Sequence, residues 1–238
     1  PRAGGRGGYD FATQFSMPIE EFFNTYLPQF TGMLDHYWGR NGIHLHSEYL
    51  GVSVLILMGA AFGATMRRGF RAFWVGVAVV TALWAIGNGT PFYHVVYALV
   101  PGSKFFRAPS PMIYLVSFSF SIFAALGVER LIALQITRRF VIGWAIAASV
   151  LLLLGVSGGL TSMAETIAGI QRADIAEANA GALALGSARS FLVAAATLGI
   201  LFALLSGRLR PQTSAWMIVA LMAIDLWSIE RLYWQFSP

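Results

Sequence analysis

Long apolar runs, separated by short polar segments rich in arginine, dominate the pattern of the chain. Six runs are candidates for membrane-crossing helices, at about 49–66, 73–86, 112–126, 140–160, 191–205 and 216–234. A helix needs about 20 mainly apolar residues to cross the hydrocarbon core of a bilayer, and aromatic residues at the interface extend the shorter runs. The pattern predicts an all-α fold, a polytopic integral membrane bundle of about six transmembrane helices.

The segments between these runs divide the chain further. Residues 1–46 hold no run long enough to cross a bilayer, so we expect an extramembrane segment there and a transmembrane helical domain over 47–238. The apolar run 95–100 is too brief to cross and predicts a short interfacial or re-entrant helix. Residues 161–189 are small and weakly amphipathic, which favours one or two extramembrane helices.

Composition supports a membrane protein and excludes other classes. Hydrophobic residues make up 57% of the chain and charged residues only 11%, whereas a soluble domain carries about 25% charged residues. The net charge of +5 comes from cations between the apolar runs, so it argues for membrane topology and against a nucleic-acid partner. There is no cysteine, which excludes disulfides and thiolate metal sites. The chain begins at Pro1 without an initiator methionine, and we expect it to be a piece of a longer polypeptide.

The distribution of charge predicts an orientation. The loops after the first, third and fifth runs contain Arg67, Arg68, Arg71, Arg130, Arg138, Arg139, Arg208 and Arg210, with Glu129 as their one acid. Because cytoplasmic loops carry the excess of cations, these short basic loops are predicted to be cytoplasmic in a multi-pass protein of the plasma membrane. The N-terminal segment, the stretch 91–111 and residues 161–189 then share the outer face, where the loops and short interfacial helices lie.

The stretch VPGSKFFRAPSPMIYL is the strongest candidate site. Lys104 and Arg107 are three residues apart, so a helical turn would put them on one face, and arginine suits bidentate contact with phosphate. Phe105 and Phe106 could enter the acyl region while the cations stay at the depth of the headgroups. The pattern predicts a site for a phosphate-carrying lipid; an anchor to membrane lipids without a specific ligand is the alternative.

Two further clusters precede the first run. His44, His46 and Glu48 could offer two imidazoles and a carboxylate to a divalent metal, although their spacing is not a strong zinc signature and ordinary interfacial polar groups remain the alternative. Asp35, in LDHYWGRNG, could act as a general base or hold a metal. Its alternative role is a turn cap in a segment rich in glycine and asparagine.

Asp225 is an ionisable residue inside the last apolar run. Charges at membrane depth are costly, so they mark a functional role or a pairing with another charge. Both a functional charge and a pair with an arginine of another helix remain open.

The phrases YWGRNGIHLHSEYLGV, LVPGSKFFRAPSPMIYLVSFSFSIFAALGVERL and AIDLW together resemble the C-terminal part of the membrane region of YfhO-type bacterial proteins, over roughly residues 15–235. The sharpest part of the resemblance is Pro101, Phe106, Arg107 and Pro109, followed by a span of small residues that ends in Gly127. YfhO-type proteins are similar to GT-C glycosyltransferases.

The resemblance implies transfer of a sugar from a polyprenyl-phosphate donor to an envelope acceptor on the outer face of the bacterial inner membrane. Lys104 and Arg107 would then neutralise the carrier phosphate, and Asp35 would be a secondary acid or metal ligand. GT-C enzymes usually carry their catalytic acid in the first outer loop, near the start of the polypeptide. We expect that acid in a part of the protein that precedes these 238 residues.

A second hypothesis is a non-catalytic membrane subunit packed against a larger membrane protein complex. The small-residue stretches GAAFGA, AIAAS and VAAAT favour close helix packing, which both hypotheses allow. A transporter is less favoured, because Asp225 is the one candidate intramembrane charge and no repeat is visible.

Overall fold

The computed structural model describes residues 8–33, 36–41, 47–63 and 68–233. Within these ranges every regular element is a helix, and the structure is 75% helical without a strand. The predicted all-α class is confirmed.

The helices follow one another with short connections. The α-helices are α1 (Tyr9–Ala12), α2 (Val52–Ala61), α3 (Arg68–Ile86), α4 (Phe92–Leu99), α5 (Ile113–Ile132), α6 (Arg138–Val156), α7 (Gly159–Ala168), α8 (Ala173–Ala178), α9 (Ala180–Leu205) and α10 (Pro211–Glu230). Short 3₁₀ helices cover Ile19–Thr25, Gly87–Gly89, Ser103–Phe105, Ser110–Met112 and Arg231–Tyr233.

Four helical segments in the described ranges are long and apolar enough to cross a membrane: Arg68–Gly89, Ser110–Ile132, Arg138–Val156 and Ala180–Leu205. They contain α3, α5, α6 and α9. Neighbouring 3₁₀ turns extend α3 and α5. Most of their residues are not buried inside the bundle, which is compatible with lipid around it. The protein is therefore a helical bundle with the elements of a membrane protein.

The predicted count of six spans is not confirmed. Within the described part of the first predicted span, residues 49–63, the helix is the ten-residue α2, which is about 15 Å long and reaches half-way across a hydrocarbon core of about 30 Å. The helix begins later than the apolar run, because residues 47–51 are not helical and Gly51 has a φ of +89°. The last predicted span corresponds to α10, which is 20 residues long but is not among the four.

Helix α2 is the centre of the bundle. It packs against α5, α9 and α10, and Val52, Ile56 and Leu57 have no exposed surface. It is apolar on all sides, as expected for a helix that other helices surround. Next to it, α3 packs on α5 and α6 packs on α9, so the short helix joins the two pairs of long ones.

Helix directions place the connections at two ends of the bundle. One end, here called the loop end, contains residues 8–33 and the connections 87–112 and 157–179. Hydrogen bonds join these segments: the Met17 N–H donates to the Ala85 carbonyl at 2.9 Å, and the Asn179 side chain donates to the Gln29 carbonyl at 2.9 Å. The arginine end carries the connections 133–137 and 206–210. Helix α9 begins eleven residues before the predicted run at 191, because its alanine, glycine and serine residues continue the helix toward the loop end.

Candidate functional site

Residues Lys104, Phe105, Phe106 and Arg107 form a projection at the loop end, here called the basic tip, between α4 and α5. The 3₁₀ helix ends at Phe105, and Phe106 is extended with φ of −101° and ψ of 143°. A single helical turn therefore does not contain both Lys104 and Arg107, and their placement depends on other parts of the chain.

The local sequence explains the tip. Helix α4 ends at Leu99, before Pro101, which cannot continue the hydrogen-bonded turn. Gly102 follows with φ of +87°, a left-handed conformation that glycine adopts without steric cost. The chain thus reverses over two residues and exposes the tip.

Large apolar side chains are exposed at the tip and beside it. Phe106 is 72% exposed, Phe105 is 60% exposed and Leu99 is 74% exposed. Helix α4 turns Tyr93 and Val96 toward the protein and leaves Leu99 on its open side. Three large apolar side chains beside two cations are typical of a surface that meets both the headgroups and the acyl region of a bilayer.

Both cations of the tip rest on aromatic rings. The Lys104 Nζ atom lies 5.1 Å from the centre of the Tyr97 ring, and the Arg107 guanidinium carbon lies 5.1 Å from the centre of the Phe15 ring. Among the residues that the structure describes, neither cation forms a salt bridge with a carboxylate. The tip therefore presents two positive charges without an acidic partner in the described ranges.

A second polar region, here called the buried acid cluster, contains Glu21, Asn24, Tyr37 and Glu48 and lies inside the loop end. The Asn24 amide donates to the Glu48 carboxylate at 3.2 Å, and the Tyr37 hydroxyl donates to Glu21. Glu21 is fully buried. Burial, followed by the negative charge of Glu21, raises the pKa of Tyr37 above its ordinary value, so this phenol stays protonated and continues to donate.

The structure does not bring a metal site together from described residues. In the ranges that it covers, no group of three or more histidine, aspartate or glutamate side chains is placed to hold a metal ion. Glu48, one of the predicted ligands, lies in the buried acid cluster. The predicted residues Asp35, His44 and His46 lie outside the described residues, so a divalent metal stays a prediction.

Asp225 is paired. Its Oδ1 atom lies 2.6 Å from Nη2 of Arg189 on α9, and the Tyr49 hydroxyl donates to Oδ1 and Oδ2 at 3.0 and 2.9 Å. The Arg189 guanidinium also lies 5.3 Å from the centre of the Tyr49 ring. Of the two roles left open for Asp225, the structure shows the pair with an arginine of another helix.

Arg189 and Glu21 are two of the residues that the sequence interpretation missed. The predicted fifth span began at residue 191, which left Arg189 outside the apolar run, although an arginine near a run is the natural partner for an aspartate in another run. Glu21 stood in a mixed segment without a motif, and nothing in its neighbours indicates that it becomes fully buried.

Comparison with models of known families, with curated proteins and with solved structures finds no match to this chain. The geometry of the basic tip and the sequence pattern are therefore the grounds for a functional proposal.

Proposed function

We propose that this protein is a bacterial membrane glycosyltransferase of the YfhO type, or a part of one, that moves a sugar from a polyprenyl-phosphate donor to an acceptor of the cell envelope. The observation that carries the proposal is the basic tip, in which Lys104 and Arg107 flank two exposed phenylalanines. A lipid that carries a phosphate needs this combination of an apolar contact and positive charge at one depth.

The proposal includes an orientation and a topology. The loop end faces the outside, the arginine end faces the cytoplasm as the distribution of cations favours, and α2 and α10 join the four long apolar segments as the fifth and sixth crossing elements. Since α2 reaches only half-way, residues 47–51, which are buried or half-buried, extend its path inside the protein. Non-helical backbone at membrane depth is tolerated when it is surrounded by protein.

The proposed chemistry uses the cations on the leaving group. The bond between the anomeric carbon of the sugar and the phosphate oxygen breaks, and the phosphate keeps the electron pair. The acceptor hydroxyl oxygen forms the new bond to that carbon and its proton goes to a base, for which Asp35 is the candidate in this chain. Lys104 and Arg107 stabilise the negative charge that develops on the phosphate.

Binding of short lipids to the detergent-solubilised protein tests recognition. We expect farnesyl phosphate, a short polyprenyl phosphate, to bind more tightly than farnesol. Arg107→Gln and Lys104→Gln should each weaken binding of farnesyl phosphate and leave binding of farnesol unchanged. Arg208→Gln, which changes an exposed arginine at the other end of the bundle, is the matched control. Dioleoyl phosphatidic acid separates the sources of phosphate: equal affinity for it would indicate a general headgroup anchor and contradict a polyprenyl-phosphate site.

Sugar transfer in membranes tests the activity. Arg107→Ala and Lys104→Ala should abolish transfer from a radiolabelled polyprenyl-phosphate sugar while expression stays normal, because the leaving phosphate loses its counter-charges. Undiminished transfer in both variants would remove these residues from the proposal. Purification of the protein in constant stoichiometry with a larger complex, with no transfer activity, would favour the non-catalytic subunit instead.

A further inference from the structure

We infer that Phe15 is a positioning residue for Arg107: its ring holds the guanidinium in the place where the lipid phosphate is bound. This inference rests on the proposed function of the basic tip and adds a residue that lies 92 positions earlier in the chain. Phe15 does not touch the phosphate itself. It acts by restricting the conformations that the Arg107 side chain adopts.

The backbone of Phe15 is hydrogen-bonded to the last residue of the tip and to Ser110, three residues after it. The Phe15 N–H donates to the Arg107 carbonyl at 3.0 Å, and the Phe15 carbonyl accepts from the Ser110 N–H at 3.4 Å. These bonds place the two side chains beside each other, and the Arg107 guanidinium carbon is 5.1 Å from the ring centre. The contact is therefore set by main-chain hydrogen bonds and is not a chance approach of two flexible side chains.

The physical reason for the effect is the freedom of an exposed arginine. Such a side chain has several rotatable bonds, and fixing it on a bound phosphate costs conformational entropy. A cation over an aromatic face at this distance is attracted by the quadrupole of the ring, which keeps Arg107 near one place before the lipid arrives. The ring leaves the other face and edges of the planar guanidinium available to a phosphate.

Lys104 has a parallel arrangement. Its Nζ atom lies over Tyr97, and the Tyr97 ring meets Tyr9 edge to face at a centroid distance of 5.5 Å. Tyr9, like Phe15, belongs to the N-terminal segment. Both cations are thus held, directly or through one ring, by residues 9–15 of the chain.

The ring of Phe15 contributes little to the packed interior. Its side chain is only partly buried, and it belongs to none of the clusters of packed apolar side chains in the described residues. Removing the aromatic face while keeping an apolar side chain should therefore leave the fold intact. Phe15→Leu makes that change and retains both backbone hydrogen bonds.

The experiment measures binding of farnesyl phosphate to the detergent-solubilised full chain, with thermal unfolding as a second measurement. Phe15→Leu should weaken binding about two- to fivefold, the size expected for one exposed cation–π contact, with an unchanged unfolding temperature. Phe15→Trp, which keeps an aromatic face, should restore the affinity. Phe11→Leu changes an exposed phenylalanine of the same segment and should have no effect.

A double variant separates positioning from other causes. In the Arg107→Gln background, Phe15→Leu should cause no further loss, because the group that Phe15 positions is absent. If Arg107→Gln weakens binding and Phe15→Leu does not, the positioning inference is wrong and the proposed function stands. If Arg107→Gln itself has no effect, the proposed function of the tip fails. An equal loss for Phe15→Leu and Phe15→Trp, or an equal loss in both backgrounds, would also overturn the inference.

Discussion

Arg189 of α9 and Asp225 of α10 form an ion pair at 2.6 Å, and the aspartate side chain has no solvent-exposed surface. Arg189 also donates through Nη2 to the main-chain carbonyl of Asp225 at 2.7 Å, while Tyr49 donates to the carboxylate from the segment before α2. Three parts of the chain that are far apart in sequence thus meet on one carboxylate. The pair joins α9 to α10 near the loop end of the bundle.

Breaking this pair should be strongly destabilising. Arg189→Gln leaves the buried Asp225 carboxylate without its counter-charge, and we expect a loss of about 3–5 kcal/mol in the free energy of unfolding. The double change Arg189→Met with Asp225→Leu should cost less than Arg189→Gln alone, because it removes both charges. Unfolding of the purified protein in detergent measures each variant. Arg208→Gln, on the exposed connection before α10, should stay within about 0.5 kcal/mol of the wild type, and a similar small effect for Arg189→Gln would contradict a structural pair.

Gly127 allows α2 and α5 to approach closely. A Cβ atom there would overlap the main-chain carbonyl of Leu57, which cannot move like a flexible side chain. Gly127→Ala should therefore destabilise the protein by about 1–3 kcal/mol, seen as a lower unfolding temperature. Gly143→Ala on α6 is the matched control, since no atom lies within 4 Å of its added Cβ, and better helix propensity should make it neutral or slightly stabilising. Equal effects of the two substitutions would show that helix propensity, and not close packing, decides the outcome.

Arg130 caps the end of α2. Its Nη1 atom donates to the Ala60 carbonyl at 2.6 Å and its Nη2 atom to the Gln135 carbonyl at 2.9 Å, so it joins the last turn of α2 to the connection that follows α5. We expect Arg130→Gln to cost roughly 1.5–3 kcal/mol, the range for hydrogen bonds made by a charged donor. Chemical unfolding in detergent is the measurement. Arg138→Gln, at the exposed start of α6, removes a cation from a helix N-terminus and should be neutral or slightly stabilising; a comparable loss there would mean that net charge is responsible.

Tyr37 should make stability depend on alkaline pH. Burial and the nearby Glu21 raise its pKa in the folded protein above the ordinary value of 10.0, so the unfolded state releases the phenolic proton first. The stabilisation is complete below about pH 10 and is lost as the pH rises from there toward the raised pKa. Tyr37→Phe should flatten this alkaline decline in the unfolding temperature. A smaller decline should remain, because burial also raises the pKa of Tyr26 to about 12; an unchanged decline in the variant would show that Tyr37 is not its source.

The candidate site was partly visible in the sequence. Lys104, Arg107 and the two phenylalanines are neighbours in the chain, so their combination of charge and apolar surface could be predicted from a short stretch. The aromatic rings that contact the cations could not be predicted. Phe15 is placed beside Arg107 by main-chain hydrogen bonds between two segments whose sequences give no sign that they meet. Asp225 was recognisable as a buried charge, but its partner Arg189 depended on where α9 begins.

The sequence by itself determined the class of the protein. Its apolar runs and low charge are local properties, and four of the predicted runs correspond to the long apolar segments that contain α3, α5, α6 and α9 because about twenty apolar residues have no other stable arrangement in a bilayer. Only the tertiary structure determined where α2 begins. The residues before Gly51 are drawn into hydrogen bonds with groups elsewhere, Glu48 with Asn24 and Tyr49 with Asp225, and these contacts outweigh the helical preference of the apolar run. Contacts between distant segments are not encoded in the periodicity of either one, which is why the pattern predicted a span from residue 49 and the folded chain begins its helix at Val52.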